Sequence, residues 1–474
     1  MKEPPNIVLV ISDTFRKDQL GVHGNHEVQT PCLDDFAKES VIFENAYPES
    51  LPTIQVRRAM HTGRKIYPFK SYKPVKWDIV YLPGWQPMDD EEDTVAENLV
   101  AKGYHTGFVT DTLPYFAPGF NFTRGFYQWE FVREQQQDRW QSVNAVSRET
   151  LSRYGNPDEL IETKYNNIST WHAANTKDVN DEEGTTTAQV FKWAMNFVED
   201  NRNANPFYLL VDCFDPHEPW EAPTNYYEKY ANPKYDGKTN LHTHYGPIAD
   251  KYTKEEVEDI RAHYSGLVSL VDNWFGKLVE KVKELGLWDD TMIVFISDHG
   301  TNFGNNSRNV IGKPQYALYH GVMDLPLLVH FPGNEFKGKR IENFVYNIDV
   351  PATIYDVAGI DVKKYGIEIS GESLHGLLNG KPWNDREYMT SRYGDHLWYR
   401  DEEVWMVFTA YGIPADVYYL KKDPLLERNE VYDVEEELAD KVWERILHDA
   451  GGTIPTYTIK SRTDAIGQKI REVY

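Results

Sequence analysis

A hydroxyl group and a guanidinium group stand one helical turn apart in one short stretch of the sequence. Pro52 ends any preceding strand, and residues 54–61 contain neither Gly nor Pro, so the pattern predicts a helix that begins near Thr53. The free N–H groups and the positive dipole end of a helix N-terminus favour an anion. Arg57 lies on the same helix face as Thr53, and this pair suits attack on a phosphate or sulfate ester. A capping Thr followed by exposed arginines explains the same stretch equally well.

Two predicted strands end in acidic residues. The apolar runs at residues 7–11 and 291–297 are typical of strands buried in a parallel sheet, and they lead to Asp13 and to Asp298 followed by His299. Ligands of open α/β sheets gather at the carboxyl ends of the strands, so we expect these three side chains to meet. Two carboxylates and an imidazole make a plausible site for one divalent metal ion. The nitrogen ligand favours Mn²⁺ or Zn²⁺ over Ca²⁺.

Two further predicted strands deliver polar residues to a turn. The strand that begins at Pro206 leads into a proline-rich turn that contains His217. A single His after a strand is more often structural than functional. The strand at residues 105–110 leads to Asp111, which could contact a cationic or hydroxylated leaving group or could simply belong to a turn.

The composition describes a globular and acidic protein. Of the 474 residues, 41% are hydrophobic and 14% aromatic, which is enough for a large core. The formal charge of −24 disfavours nucleic acid as a general partner. No apolar run is long enough to span a membrane, and the first strand follows the N-terminus without a secretory signal. Cys32 and Cys213 make no disulfide framework, so we expect a cytoplasmic protein.

The elements that must position these residues alternate between strand and helix. Helices are predicted at residues 30–38, 93–102, 185–201 and 255–285, between the strands named above. Residues 115–185 are polar and aromatic, and we interpret them as inserted loops and short helices over the site that determine substrate specificity. Residues 221–256 are interpreted as a second inserted loop, which is polar and rich in Tyr. Short β-rich runs follow residue 385, and a final helix is predicted at residues 435–450.

Motifs along nearly the whole chain resemble those of the sulfatase family, a branch of the alkaline phosphatase-like superfamily. The resemblance implies an α/β fold, namely an α/β/α sandwich around a large, mostly parallel sheet with a smaller C-terminal antiparallel sheet and helix. We therefore predict a catalytic domain at residues 1–384 and a C-terminal subdomain at residues 385–474. The matching segments are Thr62-Gly63-Arg64, Asp215-Pro216-His217-Glu218-Pro219-Trp220, Ser297-Asp298-His299-Gly300, Gly312-Lys313 and Pro326-Leu327-Leu328-Val329.

The resemblance assigns a nucleophile and a metal site. Aligned on Thr62-Gly63-Arg64, the nucleophile position of the family falls on Thr53 and its signature arginine on Arg57. The family comparison also implies that one divalent ion (Mn²⁺, Zn²⁺ or Ca²⁺) is bound by Asp13, Asp298 and His299.

Other positions are implied to contact the substrate. Lys313, together with Arg57, would stabilise charge on the ester oxygens, and His217 would protonate the leaving oxygen. Thr14 stands where many members have a second metal-binding Asp, and Asp111 stands where the family has a Lys and His segment. Thr14, Asp111 and His320 are possible substrate contacts.

The sequence departs from the family pattern at the nucleophile. Thr53 replaces the Cys or Ser that sulfatases oxidise to formylglycine, so no formylglycine is expected, and Gln55 replaces the signature proline. The His at position 299, directly after Asp298, resembles the pattern of the phosphonate monoester hydrolases and phosphodiesterases. We therefore favour a metal-dependent hydrolase of a small anionic ester, either a phosphodiester or a phosphonate monoester, with Thr53 as nucleophile. A sulfuric ester hydrolase without formylglycine and a catalytically weak anion-binding pseudoenzyme are the alternatives.

Overall fold

Apolar strands predicted from the sequence form the centre of the main sheet. The computed structural model describes residues 4–72, 82–133, 138–164, 167–204 and 206–457, and the backbone of 459–463 and 469–473. Its strands are, in chain order, β1 Asn6–Ser12, β2 Val41–Tyr47, β3 His105–Thr110, β4 Gln128–Phe131, β5 Phe207–Cys213, β6 Gly246–Pro247, β7 Thr291–Ser297, β8 Asn302–Phe303, β9 Val310–Gly312, β10 Leu327–His330, β11 Arg340–Tyr346, β12 Met389–Tyr393, β13 His396–Arg400, β14 Val404–Thr409, β15 Pro414–Tyr419, β16 Ile459–Thr463 and β17 Lys469–Val473.

Helices connect most of these strands. In the described part of the chain they are α1 Pro31–Lys38, α2 Thr53–Thr62, α3 Val95–Ala101, α4 Arg148–Ser152, α5 Pro157–Glu162, α6 Ile168–Asn175, α7 Thr186–Asp200, α8 Thr224–Tyr227, α9 Lys254–Glu284, α10 His320–Met323, α11 Asp349–Val357, α12 Val362–Tyr365, α13 Leu374–Leu378 and α14 Glu436–Asp449. No helix among the described residues is long and apolar enough to span a membrane.

The main sheet has the strand order β11-β2-β10-β7-β1-β5-β3-β4 in the described chain. β1 pairs in parallel with both β5 and β7, and β10 is the antiparallel member. Successive side chains of a strand point to opposite faces, and β1 follows this rule. Val8 and Val10 pack with α1, α7 and α9 on one face, whereas Ile7, Leu9 and Ile11 pack with α2, α3 and α11 on the other. This arrangement is the predicted α/β/α sandwich.

A smaller sheet follows the main one, as predicted. Strands β12, β13, β14 and β15 form an antiparallel sheet in sequence order, and α14 packs against it. The sheet is tied to the nucleophile region, because the N–H of Leu51 donates to the carbonyl oxygen of Arg392 at 2.9 Å. The small sheet begins at Met389, while the domain division after residue 384 stays a prediction.

The segment at residues 115–185, predicted to be inserted loops and short helices, also contains a strand. Its short helices are α4, α5 and α6, and β4 extends the main sheet by pairing in parallel with β3. β4 is the edge strand of the described sheet, and Gln128, Trp129 and Glu130 are exposed. A strand without a buried apolar run carries little sequence signal, so β4 was not predicted.

Candidate active site

Helix α2 begins at Thr53, and all ten of its residues are buried. Pro52 occupies the N-cap position, and the carbonyl oxygen of Pro52 accepts the first helical hydrogen bond from Val56 at 3.2 Å. The Oγ1 atom of Thr53 lies 3.4 Å from Nε2 of His299. Arg57 is 0% exposed. The alternative of a capping Thr followed by exposed arginines therefore does not describe this helix.

The three predicted metal ligands lie together at the carboxyl ends of two paired strands. β1 and β7 run in register, with Ser12 opposite Ser297, so the residues that follow them meet. One ligand atom each from Asp13, Asp298 and His299 lies within 4.8 Å of the others, and all three side chains are buried. This grouping arises because parallel strands place their carboxyl ends at one edge of the sheet.

The donor atoms of this cluster fit a cation. The Oδ2 atoms of Asp13 and Asp298 are buried and already face one positive charge, the guanidinium of Arg57. Nδ1 of His299 lies 3.1 Å from the carbonyl oxygen of Gly300, which fixes the ring proton on Nδ1 and leaves a lone pair on Nε2. Burial lowers the pKa of His299, which favours the neutral form that binds metals. Two carboxylates and one neutral imidazole suit a divalent transition ion.

Arg57 stands at the centre of three buried carboxylates. Its guanidinium forms ion pairs with Asp13 at 3.3 Å, with Asp212 at 3.0 Å and with Asp298. The sequence analysis missed Asp212, which also accepts hydrogen bonds from Thr112 and Tyr115 at 2.7 Å. A signal was present, because an Asp inside the apolar run of β5 requires a buried partner.

Thr14 joins Asp13 to Lys313. The hydroxyl of Thr14 donates to Oδ1 of Asp13 at 2.7 Å, and the ammonium of Lys313 donates to the same hydroxyl at 3.0 Å. The N–H of Thr14 donates to Oδ1 of Asp298 at 2.9 Å. The φ angle of Thr14 is +61°, a strained conformation for a β-branched residue that is typical of functional sites. Thr14 thus replaces a carboxylate with a hydroxyl that connects the cluster to Lys313.

His217 is neutral in this environment. Its Nδ1 atom lies 2.6 Å from the carbonyl oxygen of Glu218, and burial lowers the pKa of His217 to about 3. The Nδ1 proton donates to that carbonyl, so Nε2 is a hydrogen-bond acceptor. The sequence predicted a proton donor at this position. In the structure the resting ring is instead suited to accept a proton.

Asp111 and His320 do not join this group. The carboxylate of Asp111 accepts the N–H of Phe214 at 2.7 Å, and burial together with Asp215 raises the pKa of Asp111 to about 8. His320 lies 2.8 Å from a carboxylate oxygen of Asp324 and packs against Trp405 of the small sheet. Both side chains are occupied by these partners, and their substrate contacts stay predictions. The contacts with Phe214 and Trp405 are made to other parts of the fold, and neighbouring residues in the sequence do not reveal such contacts.

Comparison with family models identifies the family of this chain. Residues 5–360 match the model described as Sulfatase, and residues 315–446 match the model described as N-sulphoglucosamine sulphohydrolase, C-terminal. The chain belongs to the sulfatase family. It is therefore an ester-cleaving hydrolase with an alkaline phosphatase-like fold, as the motifs predicted.

Two relatives match most of the length of this sulfatase-family chain. An arylsulfatase of Clostridium perfringens is 25% identical over 455 residues, which cover 89% of both chains. The multifunctional alkaline phosphatase superfamily protein PehA of Trinickia caryophylli is 25% identical over 422 residues, which cover 80% of this chain and 78% of PehA.

Solved structures share the fold. The phosphonate monoester hydrolase of Agrobacterium radiobacter superposes with a TM-score of 0.71 at 19% identity, covering 99% of each chain. A structure determined with D-glucosamine-2-N,6-O-disulfate superposes with a TM-score of 0.68 at 16% identity, covering 95% of this chain and 98% of the other.

Proposed function

We propose that this sulfatase-family hydrolase cleaves a monoanionic phosphodiester or phosphonate monoester and that Thr53 is the nucleophile. The observation that carries the proposal is the position of Thr53. Its hydroxyl lies at the buried N-terminus of α2, 3.4 Å from Nε2 of His299. An unmodified hydroxyl thus stands beside the candidate metal ligands, where the N–H groups of the helix favour an anion.

Asp13, Asp298 and His299 would hold one divalent ion, and the nitrogen donor favours Mn²⁺ or Zn²⁺ over Ca²⁺. Such an ion supplies positive charge at the ester oxygens and lowers the pKa of a bound hydroxyl or water. The close grouping of two buried carboxylates and one neutral imidazole supports this assignment.

Side chains of this protein carry out the bond-making and proton-transfer steps. In the first half, the Thr53 hydroxyl releases its proton to solvent, the Thr53 oxygen forms a bond to phosphorus, and the bond from phosphorus to the leaving oxygen breaks. Arg57 and Lys313 stabilise the negative charge on the phosphoryl oxygens. We assign the ammonium of Lys313 as proton donor to the leaving oxygen, since His217 is neutral. In the second half, water attacks phosphorus and the bond from phosphorus to the Thr53 oxygen breaks. His217 accepts the proton of the water and passes it to the Thr53 oxygen, and Lys313 regains a proton from solvent.

Hydrolysis of a sulfuric ester is the second candidate. The family model and the 25% identical arylsulfatase favour it. The nucleophile argues against it, because a sulfated Thr has no equivalent of the formylglycine hydrate to release sulfate. A phosphorylated Thr is released by attack of water at phosphorus.

A substrate panel on Mn²⁺-loaded protein tests the proposal. The substrates are bis-4-nitrophenyl phosphate, 4-nitrophenyl phenylphosphonate, 4-nitrophenyl phosphate and 4-nitrophenyl sulfate, each assayed with the wild type, Thr53→Ala and Thr53→Ser. We expect the diester or the phosphonate to dominate, Thr53→Ala to lose at least a thousandfold in kcat, and Thr53→Ser to retain turnover because it keeps the hydroxyl. Dominant sulfate turnover would replace the proposal with the second candidate. Equal, low rates in wild type and Thr53→Ala would indicate an anion-binding pseudoenzyme.

A further inference from the structure

Glu218 is a buried carboxylate at the candidate active site, and the sequence analysis assigned no role to it. It is 0% exposed, and its oxygens lie 3.4 Å from the ammonium of Lys313 and 3.5 Å from Nδ1 of His217. Nε2 of His242 also lies at 3.5 Å, and the hydroxyl of Tyr245 donates to Oε1. Burial alone would raise the pKa of Glu218, but the adjacent His217 ring, the Lys313 ammonium, the His242 ring and the hydrogen bond from Tyr245 hold it below its usual range, so the side chain is an anion.

Glu218 cancels the charge of the cation assigned to bind the substrate. Lys313 is 5% exposed, and its ammonium contacts the Thr14 hydroxyl and Glu218. Among the described residues, Glu218 is the carboxylate within ion-pairing distance of that ammonium. An ion pair in a site shielded from water is screened little by solvent. The positive charge that Lys313 offers to an incoming anion is therefore largely neutralised.

The positive charge of Arg57 is also balanced by carboxylates of the protein. Its guanidinium already contacts the carboxylates of Asp13, Asp212 and Asp298. Together with Glu218, four carboxylates face the two cations Arg57 and Lys313. One divalent ion would bring this set close to neutrality. Such a site accepts one negative charge far more readily than two.

We propose that Glu218 is a specificity-determining residue that makes the site select monoanionic over dianionic tetrahedral esters by neutralising Lys313. The inference rests on the proposed function, since it assigns the substrate charge of that same site. His242 and Tyr245 hold the carboxylate in place. Both belong to residues 221–256, the segment predicted to be an inserted loop, so this segment would act on substrate choice through Glu218.

Phenyl sulfate and phenyl phosphate provide a matched pair of probes. They share a phenyl group and a tetrahedral oxyanion, but the sulfate carries one negative charge and the phosphate carries about two at pH 8. Binding of each probe is measured by calorimetry on Mn²⁺-loaded protein in a Thr53→Ala background, which prevents turnover. The quantity of interest is the ratio of the two Kd values. We expect Glu218→Gln to shift this ratio in favour of phenyl phosphate by about tenfold to fiftyfold, the order expected for one unit charge acting across several ångströms of protein.

Three further variants make the test specific. Glu218→Asp keeps the charge and should leave the ratio within about threefold. Lys313→Gln should shift the ratio in the opposite direction, and it tests the inference even if Glu218→Gln does not fold. Glu183→Gln is the matched control, because Glu183 pairs with Lys192 at 2.6 Å on the surface, and it should change nothing.

An unchanged ratio in Glu218→Gln would overturn the inference, as would an equal shift in Glu183→Gln. Because the measurement needs binding but no turnover, it separates this inference from the proposed function. Absent hydrolysis in the substrate panel would refute the proposed function and leave the charge selection intact. An unshifted binding ratio would refute the charge selection and leave the nucleophile assignment intact.

Discussion

Replacing Arg57 with Met is expected to destabilise the metal-free protein by about 5 kcal/mol. The guanidinium is 0% exposed and lies between the carboxylates of Asp13, Asp212 and Asp298. Met preserves much of the apolar volume but removes the charge, so three buried carboxylates lose their common partner. At the effective dielectric of about 20 that suits protein sites, each contact at 3.0–3.3 Å contributes roughly 5 kcal/mol of attraction.

The cost of burying the guanidinium offsets part of this attraction. Removal of one partner from a buried ion pair typically costs about 3–5 kcal/mol. Arg57 serves three partners, so we place the loss near the upper limit. A typical protein has about 5–15 kcal/mol of stability, and Arg57→Met should therefore unfold at a much lower denaturant concentration than the wild type. Arg57→Lys keeps one charge and should lose less, although it cannot form the forked contacts of a guanidinium.

Urea unfolding followed by tryptophan fluorescence, with and without Mn²⁺, measures both the loss and its cause. Without Arg57, the carboxylates of Asp13 and Asp298 should attract a divalent ion more strongly. Saturating Mn²⁺ should therefore stabilise Arg57→Met more than it stabilises the wild type. A loss below about 1 kcal/mol, or an equal effect of Mn²⁺ on both proteins, would refute the reasoning that Arg57 and the metal share the same carboxylates.

Two further predictions concern acid stability. Burial alone would raise the pKa of Glu221, but the hydrogen bond from His172 and the charges of His172 and Arg153 lower it to about 2. A carboxyl group whose pKa is lowered by folding contributes stability above about pH 4.5, and this stability is lost as the pH falls towards 2. Glu221→Gln should therefore reduce the free energy of unfolding, measured with urea, by roughly 3 kcal/mol at pH 7 and by about half as much at pH 3. An equal cost at both pH values would contradict this. Burial, and then Arg57, lowers the pKa of His61 to about 3, so protonation in the unfolded state destabilises the fold below pH 6.5. His61→Phe should therefore lose about 2 kcal/mol less stability than the wild type between pH 8 and pH 5, and equal losses would count against it.

The central strands were predictable because their side chains are buried on both faces. β1, β5 and β7 appear in the sequence as continuous apolar runs, and their observed bounds agree with the predicted runs. The long helix α9 was equally clear, since its apolar residues recur at helical spacing over 31 residues. β4 was missed because its residues are exposed and its pairing with β3 is a tertiary contact.

The site was predictable where residues follow directly from the ends of elements. Asp13, Asp298 and His299 end paired strands, and Thr53 begins a helix at the same sheet edge, so element order alone brings them together. Glu218 and Asp212 were missed because their partners belong to other elements of the fold. Glu218 contacts Lys313 and residues 242–245, and Asp212 contacts Arg57. The surroundings of Asp111 could not be predicted for the same reason, since the hydrogen bond from the N–H of Phe214 is a tertiary contact.

The departures from the sulfatase pattern act together on the charge of the site. The cations that the family presents after β3 are absent, and Asp111 in their place is held close to neutral by burial. Lys313 remains, but Glu218 neutralises it. A site with so little spare positive charge disfavours a phosphate monoester, which is close to a dianion at neutral pH. Sulfate esters, phosphodiesters and phosphonate monoesters each carry one charge, so charge alone does not separate them. In the proposed function the nucleophile makes the discrimination, because water can release a phosphorylated Thr53 by attack at phosphorus, whereas a sulfated Thr53 has no comparable route of release.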